Sequence, residues 1–301
     1  MSSRLVRTRG DKWFDAINTV LLAFVLIISL YPLYFSMIAS VSDPLATAMG
    51  KVVLYPIGFT LKAYKFVFEN KVVWTGYRNS LIYMFAGTTF DLLLSIPAAY
   101  ALSKKELPQK KLITWFYLIT MYFSGGMIPT YIVIKNLHLV NSPVVLIILG
   151  AVSMYNVVVA RTYFTTTIPE SLYEAAYVDG ASELKSFFKI ALPLSGPIIA
   201  VIGLYYAVGH WNGFFNALLY LSKEEYFPLQ LILRNILLLN QNLSMGDLLD
   251  DEELQLVVER QRTAEAMKYA LIFISSAPVI VGYCFAQKYF ISGLMTGAVK
   301  G

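Results

Sequence analysis

Residues 16–42 read AINTVLLAFVLIISLYPLYFSMIASVS and contain no Asp, Glu, Lys or Arg. A helix needs about 20 mostly apolar residues to cross the roughly 30 Å hydrocarbon core of a bilayer, so this stretch is long enough to span a membrane. Its apolar part is too long for a secretory signal, and the sequence around Pro32 does not resemble a cleavage site of small residues. We therefore predict a retained membrane helix, kinked at Pro32.

The whole chain has the composition of an integral membrane protein. Of its 301 residues, 57% are hydrophobic and only 14% are charged, which leaves too little polar surface for a soluble globule. The low-charge windows are apolar on every face, which favours helices over barrel strands. The sequence therefore predicts an all-α integral membrane protein, with a single domain over residues 1–301 and six transmembrane helices at about 16–40, 79–102, 112–134, 143–165, 196–220 and 269–287.

Basic residues near the predicted spans indicate the orientation. Two clusters of Lys and Arg precede the first span and separate the second from the third: Arg4, Arg7, Arg9, Lys12, Lys104, Lys105, Lys110 and Lys111. Because short cytoplasmic loops are enriched in Lys and Arg, both clusters are expected in the cytoplasm. Six spans then place the N- and C-termini and residues 161–195 on the cytoplasmic side. The formal net charge of +5 says little about nucleic acid, and no nucleic-acid partner is expected.

A charged stretch, YEAAYVDGASELKSFFKIALPLSG at residues 173–196, separates the fourth and fifth predicted spans. Thr167 and Glu170 have the spacing of a capping box that starts a short helix, and Gly180 is expected to end it. Ser182 is expected to cap a second helix before Pro193 redirects the chain. This second helix would present one apolar anchoring face: Leu184, Phe187, Phe188 and Ala191. The pattern predicts a cytoplasmic helix-turn-helix hairpin over residues 167–193.

The first helix of this hairpin has features of a docking surface. Ala175 and Ala176 form a small-residue face that another surface could approach closely, and the neighbouring Glu174 offers a charge to a basic partner. On periodicity alone, an amphipathic segment lying at the membrane interface is the alternative.

The hairpin resembles the EAA signature of ABC importer permeases. The matching positions are Glu174, Ala175, Ala176, Gly180, Ile190, Leu192 and Pro193. Other stretches, including AAYALSKKEL from Ala98 and HWNGFFNALLYL from His210, are similar to binding-protein-dependent carbohydrate permeases of the maltose type. The terminal QKYFISGLMTGAVKG looks most like their lipoprotein-associated oligosaccharide branch.

This resemblance implies the transmembrane domain of a type I ABC importer in the bacterial cytoplasmic (inner) membrane, surrounded by membrane lipid. The implied partners are a second homologous permease subunit in a heterodimer, two ATP-binding cassette subunits docked on the hairpin, and an extracytoplasmic sugar-binding lipoprotein. The chain lacks a G-x-x-x-x-G-K-[ST] phosphate-binding loop. We therefore expect a transport subunit that is not an enzyme and binds no cofactor, with ATP and Mg on the partner ATPase.

Polar side chains within the spans are candidates for the path of the sugar. Asp91 is costly to insert and would face the interior of the bundle, where a helix–helix hydrogen bond is the alternative role. His210, Trp211 and Asn212 offer ring stacking and amide hydrogen bonds that suit a sugar, although they could also form a packing interface. Two further candidates complete the set: Asn156 and Tyr122.

Other function classes receive less support from the sequence. The two histidines are far apart and belong to no H-E-x-x-H motif, so no metal site is expected. Gly125, Gly126 and Pro129 are expected to break or thin the third span. An ABC permease for a non-sugar solute stays open as an alternative. An ion-coupled secondary transporter is less favoured, because Asp91 is the only acid within a predicted span.

Overall fold

The computed structural model describes residues 9–242 and 267–288, and within these ranges every regular element is helical. The chain divides into two compact units, which are described separately. The described part of the first unit contains three helices of its own: α1 (Arg9–Ser40), α2 (Pro44–Ala48) and α3 (Lys62–Glu69). Besides a short 3-10 turn at Glu224–Tyr226, the described part of the second unit contains nine: α4 (Lys71–Ser103), α5 (Lys110–Tyr122), α6 (Met127–Asn136), α7 (Val144–Ile148), α8 (Met154–Thr166), α9 (Glu170–Val178), α10 (Glu183–Leu194), α11 (Gly196–Asn212) and α12 (Phe215–Tyr220). Two helices run across the boundary between the units: α13 (Leu229–Asn242) and α14 (Met267–Lys288).

Three of the described helices are long and apolar enough to cross a membrane, namely α1, α4 and α14. Two bent pairs also qualify if each pair is taken as one span: α5 with α6, bent by 113°, and α10 with α11, bent by 80°. The described residues therefore offer three to five spans by length and composition, and the chain is membrane-spanning. Helix α14 lies within two residues of its predicted bounds at each end, whereas α4 begins eight residues before its predicted start at residue 79.

The predicted span at residues 143–165 is not one continuous helix. It consists of α7 and α8, separated by residues 149–153, and this corrects the expectation from the sequence. Gly150 in the gap has a φ of +83°, a left-handed conformation that cannot continue a right-handed helix. The expected break in the third span is confirmed between α5 and α6, where Gly126 has a φ of +86°.

The small apolar core of the first unit lies at the C-terminal end of α1. Asp43 caps α2 by accepting a hydrogen bond from the backbone N–H of Ala46 at 3.2 Å. Ile38, Ala46 and Val52 form a small apolar core. Most of the rest of α1 is exposed and apolar, as expected for a helix that contacts lipid.

The core of the second unit lies among α4, α8, α10 and α11. Small and medium side chains at the centre of this core have no exposed surface, among them Ala99, Val157, Ala160, Ala191 and Ile202. Small residues allow helix backbones to approach closely. Lipid tails are as apolar as the side chains, so helices in a membrane associate through this close packing rather than through the hydrophobic effect. This close packing fixes the positions of the polar side chains that α4 and α11 carry.

Candidate functional site

A cavity of about 340 Å³ lies within the second unit, among α4, α7, α8, α11 and α12. Its lining combines aromatic rings, amides, glycines and one ionisable pair: Tyr83, Asp91, Leu146, Leu149, Gly150, Ser153, Asn156, Tyr205, Tyr206, Gly209, His210, Gly213 and Asn216. Ligand pockets in proteins commonly have volumes of about 300–1,000 Å³ and few polar anchors. The cavity therefore has the size of a small binding site.

Asp91 on α4 and His210 on α11 form the ionisable pair of this cavity. Nε2 of His210 lies 2.8 Å from Oδ2 of Asp91, and the two side chains are 12% and 2% exposed respectively. Among the described residues, the other carboxylate oxygen, Oδ1 of Asp91, is buried without a hydrogen-bond partner. The pair joins α4 to α11 inside the membrane-spanning region, which is the helix–helix hydrogen bond named above as the alternative role for Asp91.

Gly87 provides the space that His210 occupies. A Cβ atom at position 87 would lie 2.4 Å from Nε2 of the histidine ring, closer than any Cβ contact allows. Gly87 precedes Asp91 by one helical turn, so both lie on the same face of α4. The imidazole ring therefore packs against the bare backbone of α4 and reaches the carboxylate.

Tyr206 forms a second polar link at the same cavity. Its hydroxyl lies 2.7 Å from Oγ of Ser95 on α4, and it accepts a hydrogen bond of 3.1 Å from the backbone N–H of Ser153. Ser153 is the residue before α8, so one hydroxyl on α11 joins α4 to the start of α8. This link fixes the broken segment between α7 and α8 as one wall of the cavity.

Polar residues near the beginning of α4 hold the segment that precedes α13. The side-chain amide of Asn79 donates hydrogen bonds to the carbonyl oxygens of Glu225 and Phe227, at 2.7 and 3.1 Å. The hydroxyl of Tyr83, a cavity residue, donates to the carbonyl oxygen of Tyr226 at 2.8 Å. The cavity is therefore bordered by an ordered, hydrogen-bonded segment at this end of α4.

The structure brings together three of the six residues proposed from the sequence for the sugar path: Asp91, Asn156 and His210. It places the other three away from the cavity lining. Trp211 is fully buried and its ring packs edge-on against that of Tyr77 at 5.6 Å, while Asn212 is exposed. Tyr122 is 76% exposed at the end of α5. Adjacent helical residues point about 100° apart, which is why His210 and Trp211 face different surroundings.

Sequence reasoning missed Gly87, Ser95 and Tyr206, although it found the residues they support. Asp91 and His210 are the only ionisable residues, tyrosines aside, within their respective predicted spans, and buried charges in membranes are usually paired. That rule could have predicted the pair. The role of Gly87 depends on which helix face meets α11, and no local pattern carries that information.

The segment between α8 and α11 contains two short helices, α9 and α10. Gly180, with a φ of +70°, follows the end of α9, and the backbone N–H groups of Gly180 and Ala181 donate to the carbonyl oxygens of Tyr177 and Ala176. This is the hydrogen-bond pattern of a Schellman motif, so the prediction that Gly180 ends the helix is confirmed. The predicted cap at Ser182 is also confirmed, since its hydroxyl accepts from the backbone N–H of Lys185.

Two details of this segment correct the sequence expectation. The capping box at Thr167 is absent: α9 begins at Glu170 after Pro169, and no side chain caps it. The expected single apolar face of α10 is divided, because Phe187 and Ala191 are buried whereas Leu184 and Phe188 are exposed. A single π-helical turn over Phe187–Ala191 changes the spacing from the regular α-helical one.

The residues that match the EAA signature have different degrees of exposure. Glu174, Ala175, Gly180 and Pro193 are exposed, Ile190 and Leu192 are half-buried, and Ala176 is buried. The expectation that both alanines form one outward face is therefore wrong, because successive residues of a helix point in different directions. Exposed apolar side chains extend this surface: Tyr177, Val178, Leu184 and Phe188.

Lys104, in the loop after α4, holds α9 and α10 against α4. Its Nζ lies 3.7 Å from the ring centroid of Tyr173 and 3.4 Å from Oε2 of Glu183. The same carboxylate oxygen accepts a hydrogen bond of 2.9 Å from the hydroxyl of Tyr100. Burial, together with the nearby carboxylate of Glu183, raises the pKa of Tyr173 to about 12.

A neighbouring ion pair adds a second connection between the loop and α9. Nζ of Lys105 lies 2.7 Å from Oε2 of Glu170, and this hydrogen bond raises the pKa of the lysine. Both side chains are largely exposed, so the pair contributes little stability.

Among the described residues, no group of three or more His, Cys, Asp or Glu side chains is arranged to bind a metal ion.

The chain is similar to known transport proteins over nearly its whole length. Residues 73–291 match the family described as binding-protein-dependent transport system inner membrane component. The chain is 35% identical to Protein LplC of Bacillus subtilis, covering 98% of this chain and 97% of that protein. It is 34% identical to the polygalacturonan/rhamnogalacturonan transport system permease protein YtcP of the same organism, covering 97% of this chain and 99% of that one.

A solved structure shares both the fold and the sequence pattern. It is a bacterial ABC transporter involved in the import of the acidic polysaccharide alginate, with a TM-score of 0.82 and 32% sequence identity. The match covers 95% of this chain and 99% of the matched chain. The resemblance noted from the EAA signature is confirmed, and members of the matched family are transport subunits rather than enzymes. The chain belongs to the family of binding-protein-dependent transport system inner membrane components, which implies a partner ATPase and a binding protein.

Proposed function

We propose that this permease imports carbohydrate, specifically an oligosaccharide that an extracytoplasmic binding protein delivers. The cavity carries the proposal from the structure, because it combines tyrosine rings with the amides of Asn156 and Asn216 and the imidazole of His210. Aromatic rings bind the apolar faces of sugars, and amides and imidazole bind their hydroxyl groups. The similarity to YtcP and to the alginate importer, both carbohydrate transporters, supports the same cargo class.

The proposed topology has six spans in a single domain over residues 1–301. Three continuous helices (α1, α4 and α14), the bent pair of α5 and α6, and two broken pairs, α7 with α8 and α11 with α12, would together supply six crossings. The basic residues Lys104, Lys105, Lys110 and Lys111 support a cytoplasmic position for the loop between α4 and α5. Both termini would then be cytoplasmic, in a bacterial inner membrane; residues 1–8 and 289–301 lie outside the described residues.

The proposed docking surface for the ATPase is the hairpin of α9 and α10. Its exposed residues include the charge of Glu174, the small side chain of Ala175 and an apolar edge at Tyr177 and Val178. An exposed apolar patch with a charge beside it is typical of a protein interface. We propose an assembly of this chain with a second, homologous permease subunit, two ATP-binding cassette subunits that bind ATP and Mg, and a sugar-binding lipoprotein.

The contacts of the hairpin provide two routes for movement. Helix α10 continues through Leu192 and Pro193 into α11, which carries His210. Glu183 on α10 contacts both Tyr100 and Lys104 at the end of α4, which carries Asp91. When ATP draws the two ATPase subunits together, displacement of the hairpin would therefore move α4 and α11 as a packed unit and reorient the cavity.

The test of this proposal is sugar-dependent ATP hydrolysis by the complete transporter in lipid nanodiscs. The binding protein is loaded with one candidate oligosaccharide at a time, and stimulation by at least one of them is expected. Ala175→Asp should abolish the stimulation while the chain still inserts, because a second charge beside Glu174 would oppose docking. Stimulation only by a peptide or another non-sugar solute would refute the carbohydrate assignment. Uptake driven by an ion gradient without ATP would refute ABC transport altogether.

A further inference from the structure

The ionisable groups of the cavity indicate the charge of the sugar that it accepts. Resting on the proposed function, we propose that the cavity of this single chain binds an uncharged sugar ring and discriminates against uronate-containing glycans. This cavity is bounded by α4, α7, α8, α11 and α12. Within it, Asn156 and His210 would contact the hydroxyl groups of the sugar.

Among its described lining residues, the cavity has no lysine or arginine that could bind a sugar carboxylate. The one basic side chain among these lining residues, His210, is already engaged by Asp91 at 2.8 Å. Proteins that bind carboxylates or phosphates usually provide Arg or Lys donors. A uronate entering this cavity would have to compete with Asp91 for the imidazole ring.

The carboxylate of Asp91 disfavours a second negative charge in the cavity. Only one of its two carboxylate oxygens has a hydrogen-bond partner among the described residues, and the side chain is almost completely buried. In such surroundings a second carboxylate is strongly disfavoured, because like charges interact with little solvent screening. Hydroxyl groups carry no such charge, and they can hydrogen-bond to the Asn156 amide and to Nδ1, the ring nitrogen of His210 that does not contact Asp91.

Glycines in the cavity wall leave space that a sugar ring could occupy. A Cβ atom on Gly209, a cavity-lining residue of α11, would meet no atom within 4 Å. Gly150 and Gly213 line the same space, so the cavity is bounded by bare backbone at three positions. A leucine at position 209 should therefore fill the cavity without displacing the surrounding helices.

The experiment measures sugar binding to the complete transporter in nanodiscs without its binding protein, by saturation-transfer NMR. The probes are trisaccharides of glucuronate, galacturonate and mannuronate, each paired with its carboxyl-reduced neutral counterpart. We expect at least one neutral member to bind about tenfold or more tightly than its acidic form, since like-charge contacts cost several kcal/mol. Its signal should disappear in Gly209→Leu and weaken in Asn156→Ala. It should persist in Val281→Leu, a change on an exposed part of α14.

Asp91→Asn tests the charge argument separately from the cavity itself. This variant should reduce the preference for neutral sugar by raising binding of the acidic members. Equal or tighter binding of the acidic members to the unmodified transporter would overturn the charge assignment. The absence of any signal sensitive to Gly209→Leu, with sugar-loaded binding protein still stimulating ATP hydrolysis, would overturn the site and leave carbohydrate import standing. If no loaded carbohydrate stimulates hydrolysis, the proposed function itself fails.

Discussion

A Cβ atom on Gly87 would lie 2.4 Å from Nε2 of His210, so the imidazole ring occupies space that exists only because position 87 lacks a side chain. One turn further along α4, Asp91 binds the same nitrogen at 2.8 Å. A glycine and an acid four residues apart on α4 therefore form a binding position for a histidine side chain from another helix. This arrangement places an ionisable pair in the wall of a cavity within the membrane-spanning region.

Gly87→Ala should displace the His210 ring and separate it from Asp91. We expect the transporter to lose about 1–3 kcal/mol of stability, the usual cost of overpacking, with a lower melting temperature and reduced sugar-stimulated ATP hydrolysis. Gly203→Ala is the matched control, because its Cβ would lie 3.4 Å from the terminal Cδ1 of Leu92. Equal melting temperatures for the two variants would contradict the claim that the His210 ring needs the space at position 87.

His210→Ala should be more damaging than a paired replacement of both residues. The single change leaves the Asp91 carboxylate buried without a hydrogen-bond partner, which costs at least about 1–3 kcal/mol. In the double variant Asp91→Asn with His210→Gln, two neutral amides can hydrogen-bond, so part of the stability should return. The measurement is thermal unfolding of His210→Ala, of the two single variants Asp91→Asn and His210→Gln, and of the double variant that combines the latter two. Simple additivity of the single effects would mean that the two side chains are not coupled.

Gly180→Val should impair assembly with the ATPase more than Gly180→Asn does. The φ of +70° costs an ordinary L-residue about 1–2 kcal/mol, and a β-branched residue tolerates it least, whereas Asn adopts this conformation more readily. A Cβ at this position meets no atom within 4 Å, so the expected effect is backbone strain rather than a clash. The amount of ATPase that co-purifies with each variant measures it. Equal amounts for Val and Asn would rule out a need for the left-handed turn.

Lys104→Met should loosen the hairpin without preventing membrane insertion. The change removes the cation from the Tyr173 ring, a contact worth about 0.5–2 kcal/mol, and the ion pair with Glu183, which is worth little because Glu183 is 71% exposed. We expect faster proteolysis of residues 170–194 and weaker stimulation of ATP hydrolysis. Lys111→Met, at an exposed position of α5, is the control and should leave both unchanged. Unchanged proteolysis in Lys104→Met would show that the lysine does not anchor the hairpin.

The successful sequence predictions are those that depend on local physics. The composition and the charge-free windows predicted the helical membrane class, and α14 lies close to its expected bounds. The turn at Gly180 and the cap at Ser182 follow from backbone conformation and from hydrogen bonds within a few residues. The capping box predicted at Thr167 was wrong, although it is also a local pattern. Helix α9 begins at Glu170, directly after Pro169, and no side chain caps it.

The sequence by itself therefore determined that this chain is a helical membrane protein of the binding-protein-dependent permease type, because apolar length and the EAA spacing are properties of neighbouring residues. Only the tertiary structure decided that Asp91 meets His210, that Gly87 admits the ring, and that Trp211 and Tyr122 lie away from the cavity. These relationships depend on which faces of α4 and α11 pack together. That choice follows from the close fit of small residues across the helix interface, and no single segment carries it.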